Sequence, residues 1–135
     1  MEPITMEDLK AACVARLDAV AVEHPAGHQG KYAARYVLRT TGGDPVALMF
    51  EKGPRGPANL WLSERHARPF LSDSLDYRRA PAGAIGILTD AEGKKIYGRH
   101  SALKPMRELG SADLVCIRLK DTAELDRILG QLRAG

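Results

Sequence analysis

Five side chains able to hold or activate an anion fall within nine positions late in the chain: Arg99, His100, Ser101, Lys104 and Arg107. Guanidinium and ammonium groups pair with carboxylates and phosphates, and a serine hydroxyl adds a neutral donor. Residues 97–110 read as a short helix entered through this polar doorway, and residues 112–120 read as the buried strand that follows. Unpaired N–H groups at a helix N-terminus favour anions. The expected site is therefore an anion pocket at Arg99, Ser101 and Lys104, with Pro105 fixing the shape of the turn. The competing reading makes Ser101 a plain N-cap and leaves the basic side chains in water.

Other chemistries fit these residue types less well. Ser101 and Lys104 match S-x-x-K, in which a helical lysine activates a serine, but the chain has no K-T-G and only Ser72-Asp-Ser74 to echo S-D-N. Glu51 and Lys52 are adjacent, so strand alternation turns them to opposite faces and spoils a nuclease-like acidic–lysine pair. His24 and His28 have the i, i+4 spacing of metal ligands on a helix, yet Pro25, Gly27 and Gly30 make that segment a loop. Gly30-Lys31 ends no P-loop, because Pro25 stands where a glycine is required and Tyr32 where Ser or Thr is required. Cys13 and Cys116 have no partner ligands at zinc spacing, so both are expected as buried reduced thiols. No metal or cofactor is expected.

Charge is unevenly spread. Residues 1–30 hold two basic and five acidic side chains, residues 31–107 hold fourteen and seven, and residues 108–135 hold four and five. The basic excess is central, and it includes Lys52, Arg55, Arg78 and Arg79 besides the doorway residues. Such a patch attracts phosphate-rich partners. Arginine outnumbers lysine 13 to 7, a bias that GC-rich coding also produces.

The elements that must position these groups are legible in order. Thr5 caps a first helix with Asp8 at N3, and Leu9, Cys13, Leu17 and Val20 form its apolar stripe. Residues 34–40 and 45–51 flank Gly42-Gly43 as a hairpin, and residues 59–63 form a short strand holding the sole tryptophan, Trp61, as a core anchor. Ser63 precedes a helical turn stopped by Pro69, and residues 76–81 make an edge strand because Pro81 would interrupt a central ladder. Residues 83–88 and 94–97 read as a second hairpin. Asp121 caps the last helix, whose apolar face is Leu125, Ile128, Leu129 and Leu132.

The fold expected is α+β within one globular domain spanning 1–135: a mostly antiparallel sheet of about five to six strands, with N- and C-terminal helices packed on one face. No run of about 18 apolar residues is present, so no membrane span is expected. The acidic start lacks the apolar core of a signal peptide, which points to a bacterial cytoplasmic setting. The first functional reading is a small non-enzymatic binding module that contacts nucleic-acid phosphates, or another anionic ligand, through the basic helix N-terminus. The alternative is a protein-interaction or regulatory subunit, acting on a partner or as a homodimer. A hydrolase or nuclease using His66, Asp73 or His100 ranks last, because no motif brings them together.

Overall fold

Thr5 starts the first helix as its sequence demands. Its Oγ1 accepts the Asp8 N–H at 3.0 Å, and α1 then runs Met6–Val20. Leu9, Cys13 and Leu17 are buried along one face, whereas Val20, expected in the same stripe, is exposed at the helix end. The computed structural model of the chain describes residues 5–28, 30, 32–54, 56–72, 74–82, 91–93 and 101–134.

The strands are β1 (Val22–Glu23), β2 (Ala33–Arg39), β3 (Pro45–Glu51), β4 (Asn59–Ser63), β5 (Asp76–Ala80) and β6 (Leu114–Arg118). β2 and β3 form the expected hairpin, in register from Arg39↔Pro45 to Ala33↔Glu51. Its turn holds Gly43 at φ +92°, a conformation that favours a residue with no Cβ. A four-residue helix, α2 (Glu64–Ala67), follows β4 and runs into a 3-10 turn at Arg68–Phe70, so Pro69 sits inside a turn rather than ending one. The last helix, α3 (Thr122–Ala134), is capped by Asp121, whose Oδ1 accepts the Glu124 N–H at 2.8 Å. Glu124 reaches back to the Lys120 N–H at 3.2 Å, closing a near-reciprocal cap. The hairpin expected over residues 83–97 lies outside the described residues, apart from 91–93.

The sheet order is β1-β2-β3-β4-β6-β5 with every pairing antiparallel. This is the α+β architecture that the sequence implied. Among the described residues β5 lies at an edge, where Pro81 does no harm. α1 and α3 cover one face, burying Leu9, Cys13, Leu17, Leu125, Ile128 and Leu132 against Leu38, Leu48, Leu60, Leu62 and Ile117. The opposite face is partly covered by residues 101–112. Leu103, Met106 and Leu109 bury themselves there against Met49, Trp61 and Leu114.

That covering strap departs from the expected helix. Ser101–Leu103 is a single 3-10 turn. Beyond it the Met106, Leu109 and Ala112 N–H groups donate to the carbonyls of Leu103, Met106 and Leu109 at 3.0, 3.0 and 3.2 Å. Each bond spans three residues, so apolar side chains spaced by three land on the sheet in succession. Among the described residues no helix is long and apolar enough to cross a membrane.

Candidate anion-binding face of the sheet

Directly opposed residues in an antiparallel sheet point to the same face. The register therefore lays one transverse row across five strands on the side away from α1 and α3: Arg35, Met49, Trp61, Cys116 and Arg78. A neighbouring row on the same face holds Glu51, Asn59, Arg118 and Asp76. The strap buries the β2–β4 part of this face, and the β5–β6 part carries the polar groups.

Trp61 is the hinge between the two parts. Only 1% exposed, it is a core residue, as its sequence context suggested. Its Nε1–H donates to Glu51 Oε2 at 3.2 Å, which satisfies the one polar atom of the ring. The Arg78 guanidinium lies 5.0 Å from the ring centroid, within cation–π range, and its side chain is exposed. Arg118 stands beside it, 3.7 Å from Asp76 in a solvent-facing pair. Between them is an open hollow of about 100 Å³ lined by Asn59, Asp76, Arg78, Cys116 and Arg118.

Burial pushes the Cys116 thiol up to about 12; Arg78 opposes that shift and Glu51 adds to it, so the sulfur stays protonated at neutral pH. Cys13 is likewise pushed up to about 11, chiefly by burial, on the helical side. Among the described residues no group of three or more His, Cys, Asp or Glu is placed to hold a metal ion.

Of the residues singled out in the sequence, the described ones fall on the strap, on β5 and in the loop after β3. Arg99, His100 and Arg55 lie outside the described residues. Ser101 opens the 3-10 turn, and Lys104 and Arg107 are exposed on the strap that follows it. Arg78 and Arg79 separate by alternation, as two neighbours in a strand must. Arg78 faces Trp61, whereas Arg79 turns to the helical side, donates from Nε to Glu64 Oε1 at 2.8 Å and lies 5.7 Å from the Tyr77 ring. Lys52 stands in the loop after β3, beside α1. Among the described residues, Arg78 is therefore the named basic residue placed against Trp61, and its neighbour Arg118 was not among those named. The alternation rule alone could have paired them, had the β5–β6 register been known.

Arg35 was also missed. It is buried on this face and tied to three backbone carbonyls: Nε–H donates to the Ala102 carbonyl at 2.8 Å, and Nη1 donates to the carbonyls of Ala26 and Gly27 at 3.1 and 2.8 Å. Next to it the buried His24 accepts the Ala26 N–H at Nδ1, so its ring proton sits on Nε2, 2.9 Å from Glu108 Oε2. Burial raises the pKa of Glu108, but a backbone hydrogen bond, His24 and Arg107 outweigh it and hold the carboxyl below its ordinary value. These contacts fasten the strap to the 24–28 loop. Comparison of the chain with models of known families, with curated proteins and with solved structures finds no match.

Proposed function

We propose that the chain is a non-enzymatic binding module for an anionic, phosphate-bearing ligand, with nucleic acid first among such ligands. Its contact surface is the β5–β6 part of the open sheet face. The observation that carries this reading is the exposed Arg78 guanidinium held over Trp61 with Arg118 beside it. The cation–π contact holds the exposed guanidinium at the surface of this face, where its charge suits pairing with a phosphate. Lys104 and Arg107, exposed on the strap across the same side, extend the basic character of that surface. By contrast α1 and α3 together carry four basic and five acidic side chains, so the helical side offers a polyanion little attraction. A helix-terminus site is not part of this reading, since residues 101–103 form one 3-10 turn.

Trp61 is the only tryptophan, so its fluorescence reports directly on Arg78. Titration with a single-stranded oligonucleotide is expected to change that emission. If about five phosphates are engaged, log K should fall against log salt with a slope of roughly −3.5 on a single strand. Arg78→Glu with Arg118→Glu should abolish binding at low salt. Binding that the double variant leaves intact would refute the reading.

A second reading, a protein-interaction subunit or homodimer, is favoured by one observation. β1 pairs with only Tyr36 and Val37 of the seven-residue β2, and Val22 beside that edge is 56% exposed. The stretch of β2 that so short a strand leaves uncovered, beside an exposed apolar side chain, offers a strand-pairing surface. Sedimentation equilibrium should then show a concentration-dependent dimer that Val22→Lys dissociates, and a strict monomer would remove the homodimer form.

A further inference from the structure

A large opening lies on the helical side, apart from the face argued above. The N-terminal half of α1 and the loop after β3 enclose a cleft of about 650 Å³, within the range of small-molecule sites. Met6, Ala11, Val14 and Pro54 give it apolar walls, and Met6 is 44% exposed. Lys10 also lines it. That side chain is only 6% exposed, which is unusual for lysine.

The hydrogen bonding of Lys10 is incomplete. Its ammonium donates to the Gly53 carbonyl at 2.6 Å, and that is its one hydrogen bond among the described residues. Three N–H donors are present, so two remain, and no carboxylate among the described residues forms an ion pair with it. A buried charge left without a counter-charge is costly, and the same cost becomes a driving force for an anion that reaches it. Among the described residues of the lining the two other charges, Lys52 and Glu7, cancel, leaving a net single positive charge.

We propose that this cleft binds an amphipathic monocarboxylate: a carboxylate head on Lys10 and a hydrocarbon body against Met6, Ala11, Val14 and Pro54. The charge count selects a monoanion over a phosphate dianion, which Glu7 at the rim would repel. The apolar walls select a chain over a small polar acid. This site does not depend on the nucleic-acid reading, because it uses none of the residues on the opposite face.

The test compares decanoate, methyl decanoate and acetate by titration of the ¹⁵N-labelled full chain, below the micelle concentration of decanoate. Decanoate should shift amide signals of residues 6–14, 52 and 53, and should bind at least about tenfold more tightly than its methyl ester or acetate. Lys10→Met should lose about tenfold in decanoate affinity while still binding the ester. Equal affinity for acid and ester, shifts confined to other surfaces, or no decanoate binding would each overturn the proposal. The acid–ester comparison on the unmodified chain decides it even if the variant fails to fold.

Discussion

His66 shows how one side chain can set a pH limit on a fold. Its Nδ1 is buried with no hydrogen-bond partner among the described residues. Burial lowers its pKa first of all, Arg65 lowers it further and Asp44 opposes them. The native state therefore holds His66 neutral, while the unfolded chain takes up a proton at the ordinary value near 6.5. Its contribution to stability is complete above that value and is lost as pH falls through the depressed folded pKa. Denaturant midpoints measured from pH 7.5 down to pH 5 should decline, and His66→Gln should flatten that decline. An unchanged slope in the variant would assign the effect elsewhere. Glu108, also depressed, acts in a lower window, because its ordinary value is near 4.5. None of this was legible in the sequence, where His66 was one of several scattered histidines. Burial of a ring depends on which elements close over it, and that is tertiary information.

At the scale of elements, the parts governed by local rules were readable. The β2–β3 hairpin announced itself through alternation about Gly42-Gly43, and the α1 and α3 caps through Thr5 and Asp121. The strap over residues 101–112 was not read correctly. Leu103, Met106 and Leu109 have a spacing compatible with a helix, but a strict three-residue repeat also fits successive turns, and Pro105 favours the latter. Gly110 fixes the choice. A Cβ there would stand 3.0, 3.1 and 3.2 Å from the carbonyl oxygens of Leu103, Lys104 and Met106. Backbone atoms cannot swing aside as a side chain can. Gly110→Ala should therefore destabilise the chain by about 1–3 kcal/mol in urea unfolding, the range for overpacking. A neutral result would mean that the strap yields at little cost. β1 escaped notice for a simpler reason, since two residues carry no periodicity.

At the scale of the whole molecule, the sheet is an apolar layer between two unequal covers. Strand alternation sends Leu48 to the helices and Met49 to the strap, and both are fully buried. Each truncation to alanine should cost about 2–5 kcal/mol. Their side chains lie on opposite sides of the backbone, so the double variant should equal the sum within about 0.5 kcal/mol. A large coupling would show that the two cores settle as one. Fold class was recoverable from sequence because patterning fixes which residues must be covered. The anionic-ligand surface was recoverable only in residue type. Arg78 was on the page, but its place over Trp61 depends on a strand order that no local signal specifies.

That strand order has a consequence for how the chain is made. β6 lies between β4 and β5, yet it is the last strand to be synthesised. Until residues 114–118 leave the ribosome, β5 lacks β6, the strand it pairs with among the described residues. Completion of the sheet thus waits for the final quarter of the chain, and the long-range pairing of β4 with β6 closes the structure late. A nascent chain stalled before Leu114 would expose the apolar faces of β3 and β4, which makes that interval the one in which a chaperone has something to hold.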